Sequence, residues 1–302
     1  MTEPMIAPAA QAEWQQKPRS SGWPTLAATP LSQAMSLPWG RAALMIAVLL
    51  YLGAALIGPL LALGAELVAL GLPTVVRALS RPEALAALRM TLVLTVIAVA
   101  VNAVVGTLGA IALTRHRFLG RSVLNALADL PLAISPVMIG LAFVLLLGRG
   151  GWLAPLLESL NVKTLFAFPG LVIATLFVTL PFTLREVAYV LEEIGTSEEE
   201  AAATLGASPW QTFWRVTLPN IRLGLSYGLL MTVARSLGEF GAVLVLGGSI
   251  SQHTQTATTY IYDAVEEREL AGAYGMALVL GICSVALWIT LEWTKNRRKR
   301  AE

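Results

Sequence analysis

Long apolar runs separated by short polar segments dominate the chain. Only one of the six longest runs contains charged residues, namely Arg235 and Glu239. A helix needs roughly 20 residues to cross a hydrocarbon layer about 30 Å thick, and in lipid the backbone has to satisfy its own hydrogen bonds. The pattern therefore predicts an all-α membrane protein with about six transmembrane helices. The six runs cover residues 42–65, 90–114, 130–148, 164–184, 223–247 and 271–291.

These runs divide the chain into four segments. Residues 1–40 are polar and interrupted by prolines, which predicts a disordered cytoplasmic tail. Residues 41–87 hold the first transmembrane helix and a periplasmic connector. Residues 88–292 form a core of five helices, which includes a long polar loop at 191–222. Residues 293–302 are a basic cytoplasmic tail.

The composition agrees with a chain that faces lipid. Hydrophobic residues make up 56% of the 302 residues and charged residues only 13%, which is about half the usual share of charge. So few charges do not cover the surface of a soluble protein of this size. The composition therefore excludes an ordinary soluble enzyme, a disordered chain and a nucleic-acid-binding protein.

The placement of the basic residues predicts the orientation. Lys and Arg accumulate in the cytoplasmic loops of membrane proteins. One side of the predicted membrane carries the basic ends of the chain and the cluster Arg115, Arg117 and Arg121, and the other side is poorer in Lys and Arg. The richer side is predicted to be cytoplasmic, so an even number of spans places both termini in the cytoplasm.

The catalytic and metal-binding motifs that we sought are missing. The chain lacks the G-x-x-x-x-G-K-[ST] phosphate loop and the H-E-x-x-H zinc motif. Its histidines, His116 and His253, stand in polar segments, and its single cysteine, Cys283, lies in an apolar run. We therefore predict that the chain is not an enzyme and has no catalytic residues, metal site or cofactor of its own.

The loop at 191–222 is much longer than a connector between two spans requires. Residues 197–200 (Ser-Glu-Glu-Glu) have the spacing of a capping box, and Gly206 suits the C-terminus of a helix. Residues 208–211 (Ser-Pro-Trp-Gln) provide a second helix start. We predict two short helices joined at Gly206, the second of which ends before Pro219.

The second short helix carries three large aromatic side chains, Trp210, Phe213 and Trp214. Aromatic side chains on a polar loop are expected to bury against another surface. Either they pack on the ends of the chain's own helices, or they dock into a groove of a soluble partner. The residues alone leave both interpretations open.

The same loop contains a signature of spaced residues that resembles the EAA loop of bacterial ABC importer permeases, E-A-A-x3-G-x9-I-x-L-P. The matching residues are Glu200, Ala201, Ala202, Gly206, Val216 (in place of isoleucine), Leu218 and Pro219. The resemblance implies a type I ABC importer permease fold, in which the loop is a coupling helix seated on a cytosolic ATPase and Gly206 is its hinge. The contact surface is then formed by Ala207, Ser208, Pro209, Trp210, Gln211 and Phe213.

Four segments, at residues 129–137, 168–170, 216–222 and 234–243, narrow the resemblance to the W-type permeases of sulfate/thiosulfate importers. This resemblance implies a bacterial inner-membrane complex that imports its anion by alternating access. Its partners would be a second related permease, two ATPase subunits and a periplasmic sulfate-binding protein. ATP and Mg would then be bound by the ATPase subunits rather than by this chain.

Arg235 and Glu239 lie one helical turn apart within a predicted span. A charge at bilayer depth is expensive and usually faces a bundle interior or a water-filled path. One interpretation is a mutual ion pair that pins the helix. The other is a translocation path in which Arg235 attracts a dianion and Glu239 weakens the binding of that dianion to Arg235. Ser135, Thr179 and Ser236 would then offer neutral hydrogen bonds along the path.

Three other functions compete with a sulfate permease. A molybdate or tungstate permease would have a similar pore, because the anions are all tetrahedral dianions. An ATP-independent secondary anion transporter or channel would leave the structured loop without a role. An intramembrane enzyme is disfavoured, because no nucleophile or metal constellation was found.

Overall fold

The computed structural model describes residues 38–298, and no β-strand occurs among them. Residues 1–37 of the predicted N-terminal tail and residues 299–302 of the predicted C-terminal tail lie outside the described residues. The described residues divide into two compact units, residues 38–61 and residues 62–298. The prediction of an all-helical membrane protein is confirmed.

The helices are numbered in chain order. They are α1 Pro38–Leu70, α2 Leu72–Leu79, α3 Pro82–Arg115, α4 Arg121–Ala133, α5 Pro136–Leu147, α6 Ala154–Ser159, α7 Phe168–Ile194, α8 Ser197–Thr204, α9 Pro209–Thr212, α10 Leu218–Leu237, α11 Gly241–Gly247, α12 Ala257–Glu266 and α13 Leu270–Arg298. A π-helical turn at Phe213–Thr217 joins α9 to α10.

Four of the described helices, α1, α3, α7 and α13, are long and apolar enough to cross a membrane. The helix that runs through α9 and α10 forms a fifth candidate together with α11, with a bend of 55° at the break between them. The apolar run at 130–148 is not one continuous helix, because the chain leaves α4 at Ile134 and restarts as α5 after Ser135. Proline disfavours helical geometry in the preceding residue, and Pro136 is the first residue of α5.

The core of residues 62–298 is built on α3, α7 and α10, which are joined by buried polar side chains. Asn102 on α3 donates from Nδ2 to Thr179 Oγ1 on α7 at 2.7 Å. The hydroxyls of Thr183 on α7 and Thr232 on α10 lie 2.9 Å apart. Because lipid offers helices little hydrophobic reason to associate, such bonds and close packing of small residues hold them together.

The two shorter helices α5 and α11 pack side by side at a glycine contact. A Cβ atom at Gly140 on α5 would lie 2.8 Å from Val245 Cβ and 3.1 Å from Ala242 Cα on α11. Near the start of α11, a Cβ atom at Gly241 would lie 2.9 Å from Val137 Cγ2. The N-terminal ends of α5 and α11 therefore adjoin each other, which brings together the two breaks in the predicted spans.

We expect Gly140→Val to lower the thermal unfolding midpoint, measured at a fixed scan rate, because the new side chain would overlap α11. Overpacking of this kind costs about 1–3 kcal/mol. The matched control is Gly281→Val on α13, where no atom lies within 4 Å of the added Cβ. Equal midpoints for the two variants would contradict the close packing of α5 on α11.

Candidate functional site

The EAA loop contains a short helix, α8, whose start is held by Thr196 and Glu200. Thr196 is the N-cap of α8, and its Oγ1 donates to Glu200 Oε1 at 2.7 Å. The predicted capping box at Ser197 is wrong, because Ser197 already lies inside the helix and no side chain caps the backbone there. Glu200, the first residue of the EAA signature, therefore stabilises the N-terminal end of its own helix.

The turn after α8 has the geometry that the sequence predicts. Gly206 has φ = 83°, in the left-handed region that favours glycine. The N–H of Gly206 bonds to Ala203 O and that of Ala207 to Ala202 O, both at 3.0 Å, which together form a Schellman motif. The next helix begins with the predicted capping box, in which Ser208 and Gln211 bond each other's backbone N–H.

The helical segment that begins with α9 does not end before Pro219, so that prediction is wrong. The chain passes through the π-helical turn, where the N–H of Leu218 bonds to Phe213 O, five residues back, and it continues directly into α10. Proline lacks an N–H and its ring crowds the carbonyl four residues earlier. The extra residue in the π-helical turn shifts the hydrogen-bond register just before Pro219, which lies in the first turn of α10.

Two glutamates attach α8 to the start of α10. Glu198 Oε2 accepts a hydrogen bond from Asn220 Nδ2, and Glu199 Oε1 accepts one from Thr217 Oγ1 at 2.8 Å. Both carboxylates lie in the first turn of α8, where negative charge interacts favourably with the positive end of the helix dipole. The structure shows that they also cross-link the two ends of the EAA loop.

Arg115, at the end of α3, anchors the loop to the core. Its Nη1 and Nη2 donate to Leu191 O at 3.0 Å and Gly195 O at 2.6 Å. Its Nε lies 2.9 Å from Glu199 Oε2, an ion pair in which the N–H is not aligned for a hydrogen bond. Sequence reasoning used Arg115 only as a marker of orientation and missed this role, because the contact joins residues far apart in the chain.

Removing the Glu199 carboxylate charge is expected to loosen the EAA loop. In Glu199→Gln, the ion pair with Arg115 is lost, so amide hydrogen exchange across residues 197–217 should become about 10-fold faster. Glu192→Gln is the matched control, since Glu192 is exposed on α7 and belongs to no ion pair among the described residues. Unchanged exchange in Glu199→Gln would show that the ion pair between Arg115 and Glu199 does not hold the loop.

The aromatic cluster (Trp210, Phe213 and Trp214) lies at the tip of the loop. Its ring centroids are 5.6 Å apart for Trp210 and Trp214 and 5.4 Å for Phe213 and Trp214. Trp210 nevertheless remains 69% exposed and Trp214 51%, and nearby Leu205 is also exposed. The rings therefore contact one another but leave an apolar surface uncovered on the chain's own fold.

Arg235 and Glu239 form an ion pair at the bend between α10 and α11. Arg235 Nη1 lies 2.6 Å from Glu239 Oε2, and the side chain of Glu239 is 1% exposed against 27% for Arg235. Glu239 Oε1 accepts the backbone N–H of Ala242 at 3.0 Å, at the start of α11. The carboxylate is thus sealed inside the fold, while part of the guanidinium remains accessible.

The bend is also held from α12, which the sequence did not reveal. Thr258 Oγ1 donates to the backbone carbonyl of Glu239 at 2.6 Å, and the rings of Phe240 and Tyr262 lie 5.5 Å apart. The Tyr262 hydroxyl donates to Glu266, and this hydrogen bond raises the pKa of Tyr262. The threonine-rich segment 254–259 was the signal in the sequence that could have indicated these contacts.

The other residues predicted for the translocation path separate into two groups. Ser135 is exposed at the N-cap of α5, beside the start of α11. Thr179 and Ser236 are buried, and their hydroxyls bond to Asn102 and Thr95 on α3. The structure therefore brings Ser135 to the same pair of helix breaks as Arg235 and Glu239, whereas Thr179 and Ser236 lie in contacts between helices.

A second charged pair was missed by the sequence analysis. Arg185 on α7 contacts Asp129 Oδ1 on α4 at 2.6 Å, and its Nη1 donates to Asn125 Oδ1 at 2.8 Å. The predicted fourth span stops at residue 184, whereas α7 continues to Ile194 and includes Arg185. Hydropathy marks the end of an apolar run rather than the end of a helix, which explains the error.

No constellation for catalysis is found in the part of the chain that the structure describes. Within residues 38–298, no group of three or more His, Cys, Asp or Glu is placed to hold a metal ion. Residues 224–228 do fit the G-x-S-x-G spacing, which the sequence analysis overlooked. Ser226 lies inside α10, however, with its hydroxyl donating to Arg222 O at 2.7 Å, so it is not on a strand-to-helix nucleophile elbow.

The described residues combine long apolar helices, a charged pair at a break between helices and an exposed pair of short helices, as expected of a multi-pass membrane protein. Residues 106–297 match the family described as "Binding-protein-dependent transport system inner membrane component", and the chain belongs to that family. As a permease of this family, it is a non-catalytic membrane subunit.

The chain is similar to permeases of sulfate transport systems. It is 46% identical over 255 residues to the "Sulfate transport system permease protein CysW" of Synechococcus elongatus, covering 83% of this chain and 89% of that protein. It is 35% identical over 249 residues to the "Sulfate transport system permease protein CysT" of Escherichia coli (strain K12), covering 82% and 90%. The identity to this CysW protein is higher than that to this CysT protein, which agrees with the resemblance to the W-type permeases.

The fold is shared with a solved ABC transporter. A chain of the bacterial alginate ABC transporter, solved in complex with an alginate pentasaccharide-bound periplasmic protein, superimposes with a TM-score of 0.71 at 18% sequence identity. The match covers 89% of this chain and 97% of that chain. At this identity the likeness shows a common permease fold and carries no information about the transported substrate.

Proposed function

We propose that this chain is a transmembrane permease subunit of an ATP-driven importer for sulfate or thiosulfate. The observation that carries the proposal is the EAA signature on an exposed helical hairpin, in a chain that is 46% identical to a sulfate permease. Glu199 contacts both Arg115 at the end of α3 and Thr217 just before α10. A displacement of the EAA loop by the ATPase is therefore transmitted to α3 and α10. A secondary transporter has no need of such a device.

The proposed complex contains this chain, a second related permease, two ATPase subunits and a periplasmic sulfate-binding protein. Similarity to both the CysW and the CysT sulfate permeases supports a pore made of two related chains. The bound periplasmic protein of the structurally similar alginate transporter supports a binding protein as the donor of substrate. ATP and Mg belong to the ATPase subunits, and no cofactor is assigned to this chain.

The orientation follows from the EAA loop. We place the loop in the cytoplasm, where a soluble ATPase is available, and both termini on the same side, in the inner membrane of a bacterium. The aromatic cluster and Leu205 form the proposed docking surface for the ATPase, with Gly206 as the hinge behind it. Leu205 and Trp214 are thus added to the contact residues expected from the sequence, which are Ala207, Ser208, Pro209, Trp210, Gln211 and Phe213.

The proposed translocation path passes the adjoining breaks at Ser135 and at Arg235 to Glu239. Arg235 attracts the dianion through its accessible guanidinium, and the buried carboxylate of Glu239 keeps the local charge low enough for release. Ser135 adds a neutral hydroxyl at the same level. Thr179 and Ser236 support the path indirectly, by joining α7 and α10 to α3.

Molybdate or tungstate is the second candidate substrate, since a tetrahedral dianion fits the same charged pair. Uptake into cells that carry the complete importer separates the candidates. We expect sulfate and thiosulfate to compete for uptake of labelled sulfate, and molybdate to compete weakly. Strong competition by molybdate, with sulfate ineffective against labelled molybdate, would reassign the substrate.

Isolation of the chain from native membranes tests the assembly. We expect an ATPase and a second permease to copurify with it in stoichiometric amounts. A chain that purifies alone and still transports the anion in vesicles would favour a secondary transporter.

A further inference from the structure

A cavity of about 680 Å³ lies in the loop between α5 and α7, at the opposite end of α7 from the EAA loop. Its apolar lining includes Leu147, Leu157, Leu165 and Phe166. Its polar lining includes two basic residues, Arg149 and Lys163, and one acidic residue, Glu158. The cavity thus combines an apolar wall with an excess of positive charge.

The loop that forms the cavity is fixed to the core. The N–H of Phe166 bonds to Leu246 O on α11 at 2.8 Å, and a Cβ atom at Gly248 would lie 2.7 Å from the Phe166 ring. Thr164 is buried, and the N–H of Val162 bonds to Leu157 O at 2.9 Å. The cavity therefore exists before any ligand binds, which lowers the cost of binding.

The two basic residues have no acidic partner among the residues that the structure describes. Arg149 and Lys163 are both exposed, and neither forms an ion pair with any residue in the range 38–298. Elsewhere on the chain, Arg81 pairs with Glu269 and Arg185 with Asp129. Two unpaired cations at one cavity are complementary to a ligand with a negative head.

The residues around the cavity are of the types found at a membrane boundary. The cavity lies where α5 ends and just before α7 begins. Leu141 and Leu145, which precede the cavity on α5, have exposed side chains. Trp152, in the same loop, is 92% exposed. Tryptophan and basic residues are enriched where membrane proteins meet the lipid headgroups.

We propose that this cavity binds one anionic phospholipid. Arg149 and Lys163 hold the phosphate of the headgroup, and an acyl chain lies against the apolar wall and the exposed leucines of α5. A free dianion such as sulfate fits less well, because the cavity is far larger than the ion and has an apolar wall that the ion would leave unfilled. The lipid would stabilise the loop that contacts the C-terminal end of α11.

Lipid retention tests the proposal. The full chain, purified with the subunits that accompany it, is reconstituted in nanodiscs of phosphatidylcholine with or without phosphatidylglycerol, and retained lipid is measured by native mass spectrometry. We expect the wild type to retain phosphatidylglycerol selectively. In Arg149→Gln/Lys163→Gln, its affinity should fall roughly 30-fold, since each basic residue contributes to headgroup binding.

The matched control is Arg89→Gln/Arg268→Gln, which removes the same charge from exposed arginines outside the cavity. It should retain phosphatidylglycerol like the wild type. The exchange variant Arg149→Lys/Lys163→Arg should also do so, which separates loss of charge from misfolding. Equal retention by wild type and Arg149→Gln/Lys163→Gln would overturn the proposal. Displacement of the retained lipid by inorganic sulfate would also overturn it, because it would identify an ion site.

Discussion

Arg235→Gln is expected to abolish sulfate uptake and to lower the stability of the chain. The substitution leaves Glu239, whose side chain is 1% exposed, without its cation inside the fold. Breaking a buried pair in this way costs about 3–5 kcal/mol. Glu239→Gln should be tolerated better, because Arg235 is 27% exposed and its charge reaches water.

The double variant Arg235→Gln/Glu239→Gln separates the two interpretations of this pair. With both charges removed, the thermal unfolding midpoint should recover towards that of the wild type. If Arg235 attracts the anion, uptake of labelled sulfate should remain absent in the recovered protein. Recovery of uptake together with stability would show that the pair only pins the bend between α10 and α11.

Trp210→Ala should weaken attachment of the ATPase, and so lower ATP-driven uptake, without unfolding the chain. Trp210 is 69% exposed and contacts mainly the other two rings of the aromatic cluster, so its removal costs the isolated fold little. Truncation of a buried tryptophan at a protein interface commonly costs 2 kcal/mol or more, which corresponds to a loss of about 30-fold in binding. We expect ATP-driven uptake to fall by a similar factor.

Trp288→Ala is the control for this variant. Trp288 is 64% exposed on α13 and lies outside the EAA loop, so its loss should leave uptake near the wild-type rate. Retention of the ATPase during purification should fall for Trp210→Ala alone. Normal uptake and normal ATPase retention in Trp210→Ala would remove the aromatic cluster from the docking surface.

The parts of the fold that the sequence predicted depend on local rules. Apolar runs predict helices because lipid leaves the backbone no other partner, and Gly206 and the Ser208–Gln211 capping box follow from rules that act within a few residues. The EAA signature was found for the same reason, since its residues are close in the chain.

The parts that the sequence missed depend on contacts between distant residues. Arg115 reaches Gly195 and Glu199, Arg185 reaches Asp129, and Thr258 reaches Glu239, none of which is visible in a local pattern. The wrong expectation at Pro219 has a local cause instead, because the π-helical turn lets α10 follow without a break. Thr179 and Ser236 were assigned to the path by residue type, whereas their burial depends on how α3 packs against α7 and α10.

The central claim is that this chain moves sulfate when a separate ATPase drives it. The complex purified through this chain is reconstituted in proteoliposomes, and uptake of labelled sulfate is measured with and without ATP, in the presence of the sulfate-binding protein. The account predicts uptake that requires both ATP and the binding protein and that is lost when Trp210 is replaced by alanine. Sulfate uptake that proceeds without ATP, driven by an ion gradient through this chain alone, would contradict it.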